Sequence, residues 1–156
     1  MGGIILINFI LGGCMKDKVE IKNTKSFSFS YSVGYYMNAS YSYQLELTKD
    51  SKYIISYKPT GFAEEDRFYK EVSKNTVEEL EQILIKHDIS RWDGFHKVDK
   101  RVLDGNDFSL NYYTENRENI SASGYMKYPD GYKDFQNDIV KFYTKLFKDE
   151  IKELVP

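Results

Sequence analysis

The stretch Ser26 to Val33 reads SFSFSYSV, and its strict alternation constrains the fold more tightly than any other feature of the chain. Phe27, Phe29, Tyr31 and Val33 fall on one side of an extended backbone, and Ser26, Ser28, Ser30 and Ser32 on the other. A helix would spread both sets around its axis, so only a strand separates them. Tyr41, Tyr43, Leu45 and Leu47 repeat the pattern, opposed by Ser42, Gln44, Glu46 and Thr48. Tyr53, Ile55 and Tyr57 resume it beyond the turn residues Lys49, Asp50 and Ser51, until Pro59 and Gly61 stop it. Three antiparallel strands are expected.

The charged segment from Gly61 to Lys74 reads as a surface connection on which Phe62, Phe68 and Tyr69 dock locally. Thr76 followed by Glu79 has the spacing of a capping box, and Val77, Leu80, Leu84 and His87 share one helical stripe, which predicts a helix from Val77 to His87. Phe108, Leu110 and Tyr112 alternate again, Thr114 to Asn119 supplies a polar turn, and Ile120, Ala122 and Gly124 form the returning arm. Pro129 and Asp130 open a second helix, with Phe135, Ile139, Phe142 and Leu146 on its apolar stripe. The expectation is α+β: a single antiparallel sheet of about five strands with two helices packed on one face, in two weakly similar hairpin-helix halves.

Between the halves lies Arg91 to Leu110, a seam with the only Trp, two Asp-Gly turns (Asp93-Gly94 and Asp104-Gly105) and the apolar anchors Phe95, Val98, Leu103 and Phe108. Trp92 and Phe95 bracket the first turn as a packing pair. The acids Asp93, Asp99, Asp104 and Asp107 with His96 match no metal-loop spacing, and Lys97, Lys100 and Arg101 are interleaved, so a solvated loop is expected, with no metal and no cofactor. His87 reads as a hydrogen-bonded histidine at the core edge, because no nucleophile or orienting acid stands near it in sequence.

A chain of 156 residues fits one domain, and its 22 Lys and Arg against 24 Asp and Glu give no electrostatic drive toward nucleic acid. The 14 Tyr and 10 Phe suit half-buried strands. The single cysteine, Cys14, excludes a disulfide within the chain and a cysteine-based metal cluster. It follows an uncharged apolar run, Ile4 to Leu11, that is too short to span a bilayer as a helix. Leu11, Gly12, Gly13 and Cys14 resemble the lipobox of bacterial lipoproteins, in which a peptidase cuts before the cysteine and the thiol is acylated. The alternative is a buried apolar strand or hairpin at the chain start, with Cys14 as a core thiol. The layout expected from the first reading is a signal peptide over residues 1–14, a polar tether over 15–25, a domain over 26–147 and a fraying charged tail over 148–156.

Trp92-Asp93-Gly94-Phe95, then Leu103-Asp104-Gly105 and Phe108-Ser109-Leu110, then Ser123-Gly124-Tyr125-Met126 with Tyr128-Pro129 and Gly131-Tyr132, resemble a group of uncharacterised predicted lipoproteins of Gram-positive bacteria. The resemblance covers roughly Tyr41 to Phe147. It implies a lipid-anchored, extracytoplasmic location and a fold, and it supplies no activity and no catalytic residues.

With helices on the apolar side, the other face of the sheet would display Ser26, Ser28, Ser30, Ser32, Ser42, Gln44, Glu46, Thr48, Ser109, Asn111, Ser121 and Ser123. Gln44, Asn111, Tyr113 and Tyr125 are the candidate binding residues there, suited to an extended protein segment or a cell-wall glycan. Two functions are open: a non-catalytic binding module whose partners are the membrane, through the lipid, and a protein or wall component; or an extracytoplasmic enzyme acting on a wall or peptide substrate. A deep pocket joining His87 or His96 to two carboxylates would favour the enzyme, and a shallow sheet face the binder.

Overall fold

A computed structural model describes residues 18–34, 40–59 and 63–152 of the chain. The lipobox-like positions Leu11, Gly12, Gly13 and Cys14 lie outside the described residues. The fold is α+β, built on one mixed sheet of seven strands. The serine-aromatic alternation becomes β1 (Thr24–Ser32), the central strand. On one side of it lie β2 (Ser40–Leu47), β3 (Tyr53–Lys58) and β4 (Phe68–Val72), each antiparallel to its neighbour. On the other side come β6 (Asp107–Thr114), β7 (Asn119–Tyr125) and, parallel to β7, the three-residue edge strand β5 (His96–Val98).

Register carries the sequence pattern across the sheet. Phe29 is paired with Tyr43 on β2 and with Leu110 on β6, and Phe27 with Leu45 and Tyr112, so one face is continuously apolar. Helices α1 (Lys74–Lys86) and α2 (Tyr132–Leu146) cover that face with Val77, Leu80 and Leu84 from α1 and Phe135, Ile139 and Tyr143 from α2, all buried. Ring contacts lock α2 to the strands: Phe135 meets Phe29 edge-on at 5.3 Å between centroids, and Tyr143 lies 4.7 Å from Tyr43. Each such ring contributes roughly 1.5–3 kcal/mol through burial.

Several expectations are corrected. The sheet has seven strands instead of about five. β4 arises from the segment expected as a loop: Phe68 and Val72 turn inward, while the charges of Lys70 and Glu71 are tolerated at an edge strand. The sheet is mixed because β5 pairs parallel to β7, and three residues are too few to show a period. The first helix begins earlier than Val77, at Lys74, with Ser73 as its N-cap accepting from the Thr76 amide at 3.3 Å, so Thr76 is within the first turn. The second begins at Tyr132, after the Gly131 backbone turns left-handed, instead of at Pro129.

The ends are also more structured than their composition suggests. Val19 and Ile21, within the stretch expected as a tether, are buried in the core cluster. Of the stretch expected as a fraying tail, 148–152 form α3 (Lys148–Lys152), which follows fully buried Phe147 and whose Glu150 pairs with Lys70 at 2.8 Å, while 153–156 lie outside the described residues. Val98 and Leu103, expected as anchors, are exposed, Leu103 at 93%.

Candidate functional site

The face of the sheet left by the helices is built from the serines of β1. Ser28 is paired with Gln44 on β2 and with Asn111 on β6, and Asn111 in turn with Ser121 on β7. The next row runs from Glu46 through Ser26 to Tyr113. These rows enclose a shallow groove of about 250 Å³ lined by Ser26, Ser28, Gln44, Glu46, Asn111 and Tyr113. The Tyr113 ring stands 44% exposed at its wall.

Side-chain hydrogen bonds tie the flanks of this face. Ser121 donates to Asn111 Oδ1 at 3.1 Å, and Ser56 donates to Gln44 Oε1 at 3.4 Å, which fixes the two amides on either side of β1. Ser26, Ser28 and Ser30 have no side-chain partner among the described residues, so their hydroxyls are open to a ligand. Toward β5, His96 Nδ1 lies 2.8 Å from Ser123 Oγ.

Gln44, Asn111 and Tyr113 are thus brought together, and Tyr125 is not. Its hydroxyl accepts from the Gly105 amide at 2.7 Å and donates to the Leu103 carbonyl at 2.8 Å, pinning the loop before β6 six residues along the strand from Tyr113.

The seam motif residues have structural positions. Asp93 and Gly94 occupy the middle of a type II turn, with φ −54° and ψ 127° at Asp93, φ +77° at Gly94, and the Phe95 amide bonded to the Trp92 carbonyl at 2.8 Å. Asp93 Oδ1 accepts from the Ser121 amide at 3.1 Å, and the Phe95 carbonyl from the Ser123 amide at 2.7 Å, so the turn is clipped to β7. Trp92 and Phe108 are buried. Asp104 is exposed. Gly105, expected to adopt positive φ, has none; it is glycine because a Cβ there would lie 2.3 Å from Met126 Cγ. Asp99 is held by Arg101 at 2.8 Å, and the guanidinium keeps its carboxyl well below the usual carboxylate range. Asp107 pairs with Ser32.

Two features gave no signal in sequence. Arg67, its side chain 3% exposed, lies across the polar face and donates to Glu64 at 2.6 Å, Ser56 at 3.3 Å and Ser42 at 3.2 Å. The second is a cleft of about 370 Å³ on the helix side, where the end of α1, the seam and the loop before α2 meet around His87, Asp88, Trp92 and Asp130. His87 Nε2 lies 2.9 Å from Asp138 Oδ2, which also accepts from Lys86 at 2.6 Å, so the ring is oriented from α2. The cleft does join His87 to two carboxylates, Asp88 and Asp130, but no Ser, Thr or Cys lines it as a nucleophile.

Among the described residues no helix is long and apolar enough to cross a membrane, and no cluster of three or more His, Cys, Asp and Glu could hold a metal ion. No known protein family and no curated protein matches this sequence.

Proposed function

We propose that this chain is a lipid-anchored, extracytoplasmic binding module, acylated at Cys14, which holds an extended hydroxyl-rich ligand, a cell-wall glycan, against the serine face of its sheet. The observation that carries the ligand reading is the Gln44-Ser28-Asn111 row beside exposed Tyr113 in one groove. Antiparallel sheets commonly leave one face in water, and such faces usually bear long charged side chains. Here the solvent face of the central strand carries only serines, from Ser26 to Ser32. Short hydroxyls lose little side-chain entropy on binding, and their desolvation is offset by hydrogen bonds to sugar hydroxyls. The Tyr113 ring offers a stacking platform. The anchor reading is supported by the lipobox-like Leu11-Gly12-Gly13-Cys14 sequence and by the seam motifs that resemble Gram-positive lipoproteins.

The test is co-sedimentation of the full chain, carrying Cys14→Ser to keep it soluble, with purified insoluble peptidoglycan. Saturable binding lost in the Asn111→Ala/Tyr113→Ala double variant is the expected result, and binding that survives both changes would refute the ligand reading. The anchor is tested separately by feeding labelled fatty acid to cells: label on the parent and none on Cys14→Ala is expected, whereas label on neither would refute acylation.

A further inference from the structure

We infer that the cleft at the end of α1 is a binding site for a small zwitterion with a large apolar side chain, an amino acid of the phenylalanine type. The cleft lies on the opposite side of the sheet from the serine face: Lys97 and Phe95 alternate with His96, which faces Ser123. It therefore stands independently of the glycan reading. Its volume of about 370 Å³ falls at the lower end of the range of about 300–1,000 Å³ that holds small ligands.

Its lining carries three kinds of group. Half-buried Phe95 and Tyr128 offer aromatic surface for an apolar body, and buried Trp92 lies behind them. Arg91 and Lys97 offer cationic donors: Arg91 is 79% exposed and reaches Asp88 only at 3.9 Å, and the Lys97 ammonium rests 5.0 Å from the centre of the Phe95 ring. Lys97 has no carboxylate partner among the described residues and Arg91 has only the long pair with Asp88, so an incoming carboxylate would meet unspent hydrogen-bonding capacity. Asp88 is engaged by Lys18, whereas Asp130 has no side-chain partner among the described residues and is positioned to receive an ammonium. A ligand with only one charge would engage either the cations or Asp130; a zwitterion, whose two charges are on one carbon, engages both from one position in the cleft.

Trp92 is the only tryptophan of the chain and lines the cleft, so its emission reports on occupancy directly. The full chain with Cys14→Ser is titrated with phenylalanine, with 3-phenylpropionate (the carboxylate alone) and with 2-phenylethylamine (the ammonium alone), followed by Trp92 fluorescence and by calorimetry. Phenylalanine should bind saturably and more tightly than either analogue. Arg91→Gln/Lys97→Gln should weaken phenylalanine and phenylpropionate by about ten-fold or more while leaving phenylethylamine unchanged, and Asp130→Asn should do the reverse. These three side chains are at the surface, so their loss leaves the fold intact. No saturable binding by either method, equal binding of all three compounds, or indifference to both sets of substitutions would each overturn the proposal.

Discussion

Trp92 packs edge-on against Phe135, with ring centroids 5.0 Å apart and planes at 80°. One residue belongs to the short 3-10 turn after α1 and the other to the first turn of α2, so this contact joins the two halves of the chain through their helices. Both rings are buried, Phe135 completely. Phe135→Ala and Trp92→Ala should each cost about 3–5 kcal/mol in urea unfolding. The double variant should fall short of the sum by roughly 0.5–1.5 kcal/mol, the coupling of an edge-to-face pair. Strict additivity would show that the rings merely fill separate cavities.

Gly124 is required by close backbone approach. A Cβ there would sit 1.9 Å from the Lys127 carbonyl oxygen and 2.7 Å from Phe108 Cε1, and the first of these is backbone that cannot move aside. Gly124→Ala should destabilise by about 3 kcal/mol or more. Gly94→Ala has open space around it and strains only the left-handed backbone at φ +77°, so about 1–2 kcal/mol is expected. Thermal unfolding of the two variants side by side checks the order.

Asp138 ties α2 to the end of α1 by accepting from both Lys86 and His87. The Lys86 ammonium first, and then the His87 ring, hold its carboxyl down at about 2, from an ordinary 3.8. Because the folded value lies below the unfolded one, the charged carboxylate favours the folded state. That contribution is complete above the ordinary value and is lost as the pH falls from about 4 toward about 2. Urea midpoints measured across this window should fall less steeply for Asp138→Asn than for the parent; parallel curves would show that the pair carries no pH dependence.

Arg67 is the buried charge of the polar face, and removing it leaves Ser56 and Ser42 short of a donor. Arg67→Ala should cost about 2–3 kcal/mol in chemical denaturation. Its partner Glu64 is 67% exposed, so Glu64→Gln should cost under about 1 kcal/mol. Equal costs would place the stabilisation in the ion pair instead of in the serine contacts.

Tyr112 donates to the Lys22 carbonyl at 3.2 Å and stands at the same distance from the Thr24 hydroxyl. Burial pushes its phenol up to about 12, above the ordinary 10.0. Here the neutral form favours folding, so the contribution is present below the ordinary value and is lost as the pH rises from about 10 toward about 12. Tyr112→Phe should flatten the alkaline limb of the stability profile, measured by circular dichroism.

The alternation Phe27-Phe29-Tyr31 and its echoes in Tyr43-Leu45 and Leu110-Tyr112 fixed which residues face the helices, because a two-residue period is a property of the extended backbone itself. The stripes on α1 and α2 were legible for the same local reason, as was the turn at Asp93-Gly94. Tertiary structure alone decided what local period cannot encode. β5 exists because Phe95 and Asp93 are clipped to β7 by hydrogen bonds from Ser123 and Ser121, residues distant in sequence. β4 and α3 form where a charged segment finds an edge and a buried Phe147 to pack on. The gathering of Gln44, Ser28 and Asn111 into one row depends on strand order, and the cleft between Arg91, Lys97 and Asp130 depends on where α2 docks. Both are outcomes of packing between elements, settled by contacts whose partners lie tens of residues apart along the chain.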